Sequence, residues 1–214
     1  MRYLGFILII SFCLGFRVFT GIRFWQITPG DNKVYVNFCE RPNITFNDLP
    51  EGDPLYSSAV NFNNLTNAIF DDFNNIASSY FVFSDASTDT DYDPNIHSDR
   101  TIDVCFTDPR DPLAGGDASL ETNNDFQLIG CRIRISDRFL DTAKEFSIVL
   151  THELGHCAGL NHPQEHSLSI MSYYRESDVV RLQADDKMGI TFLYPINREL
   201  ARSDNTFGMQ CSRK

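Results

Sequence analysis

The pattern of apolar and polar residues predicts five short strands separated by turns. Residues 33–38 and 131–135 alternate strictly between the two classes, as expected of strands that bury one face. Apolar runs at 81–83 and 101–106 predict two further strands, and residues 113–118 predict a short edge strand. All five lie in the first two thirds of the chain.

Three segments have the spacing of amphipathic helices. Residues 56–80 predict one long helix, with Ser57 or Ser58 as its N-cap. Its apolar face is formed by Val60, Leu65, Ile69, Phe73 and Ile76. Two more helices are predicted at about residues 141–158 and 184–194.

The composition is that of a single globular domain. The chain has 214 residues, of which 42% are hydrophobic and 13% aromatic, which suits one substantial core and excludes a disordered protein. The net charge is −11, and a surface of this sign repels phosphate groups. We therefore expect neither nucleic acid nor an anionic membrane as a partner, and we predict a monomer.

The first 20 residues are typical of a secretory signal peptide. Residues 3–16 form an apolar run between Arg2 and Arg17, which is short for a membrane span. An uncleaved membrane anchor is the alternative. Removing residues 1–20 removes two arginines and no acid, so the net charge of −11 becomes −13. We predict one domain at 21–214 in a secreted, extracellular or periplasmic protein, without a stable membrane partner unless the N-terminal segment is uncleaved.

Cysteine usage agrees with an exported protein. The chain has six cysteines, and Cys13 lies within the predicted signal peptide. The other five predict up to two disulfides and one thiol. Cys105 and Cys131 lie in two predicted strands, so we expect them to pair. Cys157 points away from the histidine face described next, so we expect a buried thiol or a disulfide partner rather than a ligand.

One stretch carries the pattern H-E-x-x-H-x-x-G-x-x-H. On a helix, His152 and His156 lie one turn apart on the same face, so both imidazoles can reach one metal ion. Glu153 can contact a water on that ion without being a ligand. Gly159 lets the helix end, and the chain then returns His162 as a third ligand. Three ligands with an open fourth position are typical of a catalytic zinc, and a metal-free relative is the alternative.

A second feature follows at residues 169–173, which have the sequence S-I-M-S-Y. A long zinc motif followed by a methionine turn resembles the metzincin metalloendopeptidases, and Met171 matches the methionine beneath the zinc ligands of that clan. Tyr173 is similar to the tyrosine of astacins and serralysins, which ligates the resting zinc and then supports the transition state. Pro163 is similar to serralysins, and residues 182–194 are similar to the closing helix of matrixins and serralysins. The resemblance is therefore to a serralysin- or matrixin-like branch.

The resemblance implies an α+β metzincin catalytic domain. Its expected parts are a twisted, mostly parallel five-stranded sheet, a backing helix, an active-site helix and a C-terminal helix. It implies one catalytic zinc held by His152, His156 and His162, with Tyr173 as a resting-state ligand. The implied activity is that of an endopeptidase acting on protein or peptide substrates through a zinc-activated water, with Glu153 as general base. The alternative is a catalytically silent secreted protein that binds zinc or a partner.

An acidic stretch at residues 84–100 has two interpretations. Its aspartates offer the oxygen ligands that Ca²⁺ binds, but they do not match the EF-hand pattern, so a solvated loop is favoured over a calcium site. The aspartates are Asp85, Asp89, Asp91, Asp93 and Asp99.

Overall fold

A computed structural model of the chain describes residues 16–19, 24–47, 59–163, 167–176 and 178–197. The strands and helices follow one another in this order: β1 (Arg17–Val18), β2 (Lys33–Phe38), β3 (Thr45–Phe46), β4 (Val60–Asn61), α1 (Phe62–Asn74), β5 (Val82–Asp85), β6 (Thr101–Phe106), β7 (Gly116–Thr122), β8 (Leu128–Ile135), α2 (Ala143–Cys157), β9 (Leu160–Asn161) and α3 (Ala184–Leu193).

Five of these strands form a central sheet in the order β5-β2-β6-β8-β7. β2 pairs in parallel with β5 and β6, and β6 pairs in parallel with β8. β7 forms one edge and runs antiparallel to β8. Alternation sets the faces, since Ile133 and Ile135 are fully buried while Arg132 and Arg134 point to the other side. The predicted mostly parallel five-stranded sheet of an α+β domain is therefore confirmed.

Helix α1 covers part of the sheet and is shorter than predicted. It begins at Phe62, because the side chain of Asn61 accepts a hydrogen bond from the backbone three residues later (2.8 Å). It ends at Asn74, whose side-chain amide bonds the backbone of β5 as donor and as acceptor. The predicted range 56–80 was wrong at its C-terminal end, and also at its N-terminal end, where Val60 and Asn61 form β4 instead of helix. The predicted caps Ser57 and Ser58 lie outside the described residues.

Helices α2 and α3 agree with their predicted positions. Thr142 caps α2 by accepting a hydrogen bond from the backbone N–H of Glu145 (3.1 Å). Gln183 and Asp186 form a reciprocal capping box at the start of α3. Most side chains of α2 are buried, because the helix packs against β7, β8 and α1. It is a core element, so its side chains are held in fixed directions.

Two disulfides cross-link the sheet, and they differ from the predicted pair. Cys39 bonds Cys105, and Cys131 bonds Cys157. The prediction that Cys105 pairs with Cys131 was wrong because the two side chains leave opposite faces of the sheet. Cys131 lies opposite Ile102 in the register of β6 with β8, and Cys105 is three residues further along β6. The second disulfide ties the end of α2 to β8.

A short N-terminal strand lies inside the predicted signal peptide. β1 pairs antiparallel with β9, which places Arg17 opposite Asn161. The ring of Phe16 packs against that of Phe192 on α3, with centroids 5.6 Å apart. The rest of the predicted signal peptide lies outside the described residues, and its boundary stays a prediction. Within the described ranges, no helix is long and apolar enough to cross a membrane.

Aspartates of the acidic stretch form ion pairs with basic residues of the protein. Lys33 forms ion pairs with Asp89 and Asp91, each with an N–O distance of 2.8 Å. Asp85 pairs with Arg41. These three aspartates therefore have partners within the protein, and calcium binding stays the less favoured of the two interpretations.

Candidate metal centre

Helix α2 and the turn after it bring three histidines together. His152 and His156 lie in the last two turns of the helix, which ends at Cys157. Gly159 follows with a φ of 100°, a conformation in which a β-carbon would be strained. The chain reverses there into β9, and His162 comes directly after that strand. The structure thus joins the three predicted ligands in one cluster.

The ring nitrogens of the cluster converge on one point. Nε2 of His162 lies 3.0 Å from Nε2 of His152 and 3.1 Å from Nε2 of His156. On the opposite side of the rings, Nδ1 of His152 lies 2.8 Å from the carbonyl oxygen of Ile170, and Nδ1 of His156 lies 3.0 Å from that of Leu160. A carbonyl oxygen can only accept, so each of these Nδ1 atoms carries the proton and donates. The Nε2 atoms of both rings therefore present lone pairs.

This donor set fits a zinc ion. The lone pairs of His152 and His156 and the ring nitrogen of His162 converge as a ligand set, and neutral imidazoles are among the ligands that Zn²⁺ prefers. The carbonyls of Ile170 and Leu160 are the outer hydrogen-bond partners that fix the orientation of ligating histidines.

Burial keeps the cluster neutral. It lowers the pKa of His152 to about 3, with a further contribution from the charge of His156, and it lowers the pKa of His162 to about 4. Burial also lowers the pKa of His156. All three rings are therefore unprotonated at neutral pH and able to bind a metal.

Glu153 lies beside the cluster as a buried carboxyl group. Its side chain is only 6% exposed, and burial raises its pKa to about 8, with the negative charge of Asp117 adding to the effect. The backbone N–H of Ala118 on the edge strand β7 donates to the carboxylate and acts in the opposite direction. β7 approaches closely at Gly116, where an added β-carbon would lie 3.1 Å from Cγ of Glu153. The edge strand and α2 thus hold Glu153 between them.

Tyr173 forms one side of the site. Its ring stacks on that of His162, with centroids 3.7 Å apart and planes inclined by 28°. The residue is 68% exposed, so the ring lies at the mouth of the site. Tyr174 is 78% exposed and has no such contact with the histidines in the described ranges.

Comparison with known proteins identifies the family. A family model of the matrixins, peptidase family M10, matches residues 18–195. The chain belongs to the matrixin family. No curated protein matches the sequence. A solved structure described as "GM1 bound form of the ECX AB5 holotoxin" is similar at a TM-score of 0.47 and 12% identity, over 77% of this chain and 80% of that one.

Membership of this family makes the chain metzincin-like, as the zinc motif and methionine turn indicated. Matrixins are metallopeptidases, so the match agrees with the predicted class of protein and with a zinc ion at the histidine cluster. The narrower resemblance to serralysins, based on Pro163 and Tyr173, stays a prediction.

The methionine turn of this matrixin is held by a residue that the sequence did not single out. Met171 is buried and packs against Gly155 of α2. The carboxylate of Asp186 on α3 accepts hydrogen bonds from the backbone N–H of Ile170 (3.0 Å) and from the hydroxyl of Ser169. Because the carbonyl of Ile170 orients His152, Asp186 connects α3 to a predicted metal ligand. The sequence feature that could have identified Asp186 is its position in the capping box of α3.

Proposed function

We propose that this matrixin is a zinc-dependent endopeptidase that hydrolyses peptide bonds in protein or peptide substrates. The observation that carries the proposal is the convergence of three Nε2 atoms next to a buried glutamate. A structural zinc site would not need that glutamate, whereas hydrolysis needs a base within reach of the attacking water.

His152, His156 and His162 are the residues that would hold the ion. When bound, zinc supplies a Lewis acid that polarises the substrate carbonyl and makes water acidic near neutral pH. The hydrogen bonds from Nδ1 of His152 and His156 to backbone carbonyls keep both rings in the ligating tautomer.

Glu153 acts as the general base and then as the general acid. Its carboxylate accepts a proton from the attacking water while the water oxygen bonds to the carbonyl carbon. When the carbon–nitrogen bond breaks, the same carboxyl group gives that proton to the leaving amine. A pKa raised by burial suits both steps, because the group can gain and lose a proton near neutral pH. The N–H of Ala118 keeps the carboxylate oriented between the steps.

We also assign a role in the reaction to Tyr173. Its ring stacks on His162, so its hydroxyl belongs to the same wall of the site. We assign it the role of a resting-state ligand that then donates a hydrogen bond to the oxyanion. Met171 has a structural role beneath the ligands.

The disulfides indicate the compartment in which the domain folds. Two disulfides are typical of proteins that fold in an oxidising compartment. We therefore propose export through the segment 1–20, to the extracellular space or the periplasm. The domain at 21–214 is proposed to act as a monomer.

The decisive experiment measures cleavage of unfolded casein and of a peptide library by the purified protein. We expect cleavage that a chelator abolishes and that added zinc restores. Glu153→Gln keeps the size and one carbonyl oxygen of the side chain, so it should retain zinc at full stoichiometry and lose turnover.

The competing function is that of a silent binding protein. Absence of chelator-sensitive cleavage across diverse peptides, in protein that carries one zinc per chain, would favour it. Peptidase activity of Glu153→Gln close to that of the wild type would remove Glu153 from its role and leave the metal site intact.

A further inference from the structure

Arg110 lies in the loop at residues 107–115 and reaches forward onto the edge strand β7. Its backbone N–H donates to Oδ1 of Asp117 (3.0 Å), and its Nε donates to Oδ2 of the same carboxylate (2.8 Å). A second guanidinium nitrogen, Nη2, donates to the carbonyl oxygen of Ala118 (3.2 Å). One residue of the loop therefore holds two consecutive residues of the strand.

Asp117 is also held by the neighbouring strand. Arg134 of β8 lies opposite Asp117 in the register, and it donates from Nε to Oδ1 (3.0 Å) and from Nη2 to Oδ2 (2.7 Å). The carboxylate thus accepts hydrogen bonds from two guanidinium groups, and hydrogen bonds between charged partners are the shorter and stronger kind. The first residues of β7 are therefore fixed between the preceding loop and β8.

The same stretch of β7 meets Glu153. An added β-carbon at Gly116 would lie 3.1 Å from Cγ of Glu153 and 2.9 Å from a methyl carbon of Val149, so the strand packs tightly on this face of α2. The backbone N–H of Ala118 donates to the Glu153 carboxylate. Residue 118 therefore binds the proposed base through its N–H and binds Arg110 through its carbonyl oxygen.

The position of β7 depends on such contacts because of its place in the sheet. Within the described residues, β7 is the last strand of the central sheet and has β8 on one side only. The outward N–H and C=O groups of an edge strand are not fixed by pairing with another strand. The side chain of Arg110 is 62% exposed, and exposed ion pairs contribute little to stability. The contact therefore acts on the position of the strand more than on the stability of the fold.

A second arginine holds the same loop without holding the strand. Arg138 donates from Nη2 to the carbonyl oxygens of Pro112 (3.1 Å) and Ala114 (3.0 Å). These contacts end two residues before β7 begins. Both arginines are exposed, so a comparison between them separates an effect on the loop from an effect on the strand.

We propose that Arg110 is a positioning residue for the general base Glu153. It fixes residues 117 and 118 of β7, and the strand in turn orients the carboxylate. This inference rests on the proposed peptidase function and adds to it a residue outside the zinc motif. A displacement of about 1 Å can lower the rate of a reaction about 100-fold, so a side chain that fixes the strand next to the base has a measurable effect on turnover.

The test compares Arg110→Gln with Arg138→Gln, which makes the same change in charge at the other arginine that holds the loop. With zinc-loaded protein and internally quenched peptides, we expect Arg110→Gln to lower kcat about tenfold or more, with little change in KM or in zinc affinity. Arg138→Gln should keep the kcat of the wild type. Equal kcat in the wild type and Arg110→Gln, or an equal fall in both variants, would overturn the role of Arg110.

Arg110→Lys separates position from charge. A lysine keeps the positive charge beside Asp117, but its single ammonium group lacks the planar fork that binds the carboxylate and the carbonyl oxygen of Ala118 together. We therefore expect kcat to stay close to that of Arg110→Gln. A kcat equal to that of the wild type would show that the charge alone matters and would overturn the positioning role.

A measurement without substrate separates failure of this inference from failure of the peptidase function. Hydrogen exchange of the backbone N–H of Ala118 is followed by NMR in the zinc-loaded proteins. We expect exchange to be about tenfold faster or more in Arg110→Gln than in the wild type and in Arg138→Gln, because the strand is then less firmly held against Glu153. An unchanged exchange rate in Arg110→Gln would overturn the inference even if peptides are cleaved. The expected exchange rates in a protein that cleaves no peptide would refute the peptidase function and still support the positioning of Glu153 by Arg110.

Discussion

Met171 of the methionine turn lies directly against Gly155 of α2. A β-carbon built at position 155 would overlap the sulfur of Met171 and would also lie 3.2 Å from its terminal methyl carbon. The helix can therefore approach the turn only because residue 155 has no side chain. This contact holds the helix that carries His152 and His156 over the turn.

We expect Gly155→Ala to destabilise the protein. Ala in place of Gly within a helix normally adds about 1 kcal/mol of stability, but overpacking a core typically costs about 1–3 kcal/mol, and here the overlap dominates. The free energy of unfolding in urea measures the change. Gly30→Ala is the matched control, because no atom lies within 4 Å of its added carbon. Equal midpoints for the two variants would contradict the packing.

His162→Ala should lower zinc affinity and activity together. The ring supplies the third Nε2 atom of the cluster, and loss of a ligand should weaken binding by on the order of 100-fold or more, since even outer partners are worth 10–100-fold. Competition with a chromogenic chelator measures the affinity. His97→Ala removes a histidine that contacts Tyr35 and Tyr92 instead and should keep full zinc occupancy. Unchanged zinc affinity in His162→Ala would show that the long motif is accidental.

Tyr173→Phe should lower kcat on the order of 100-fold, with little change in KM, because it removes one oxyanion donor and keeps the ring on His162. The midpoint of thermal unfolding should stay unchanged, because the ring and its packing on His162 are kept. Tyr174→Phe is the control and should be nearly neutral. Wild-type kcat in Tyr173→Phe would reduce Tyr173 to a packing role and weaken the serralysin-like assignment.

The disulfide Cys131–Cys157 should matter for the metal, and Cys39–Cys105 should not. They close loops of 26 and 66 residues, so replacing either pair by alanine should cost a similar 3–4 kcal/mol or so. Cys157 directly follows the ligand His156, so zinc affinity should fall in the first double variant only. Chelator competition below the unfolding temperature of both variants is the measurement. Equal zinc affinities would make both disulfides purely stabilising.

Asp117→Asn should shift the acidic limb of the pH profile of kcat/KM to lower pH. The limb reports ionisation of Glu153, whose pKa is raised by burial and then by the negative charge of Asp117. Removing that charge lowers the pKa of Glu153, so the base becomes ionised at lower pH. Asp103→Asn removes a charge that pairs with Arg132 and should leave the limb in place. A shift to higher pH in Asp117→Asn would contradict the electrostatic contact.

The sequence by itself determined the elements whose patterns are local. β2 has the predicted bounds, because alternation over six residues specifies a strand, although Tyr35 on its second face is buried as well. The two histidines of α2 meet because a helix places residues four apart on one face. Gly159 marked the turn because its conformation requires glycine. The three histidines and Glu153 could therefore be named from spacing, and the methionine turn from the resemblance to metzincins.

Tertiary structure decided whatever depends on segments that are distant in the chain. The end of α1 is set by the bonds between Asn74 and β5, and the disulfide pairs are set by strand register, which a local pattern does not specify. The support of His152 by Asp186 through the methionine turn has the same origin. Such features arise from packing between elements, and packing is a property of the folded chain.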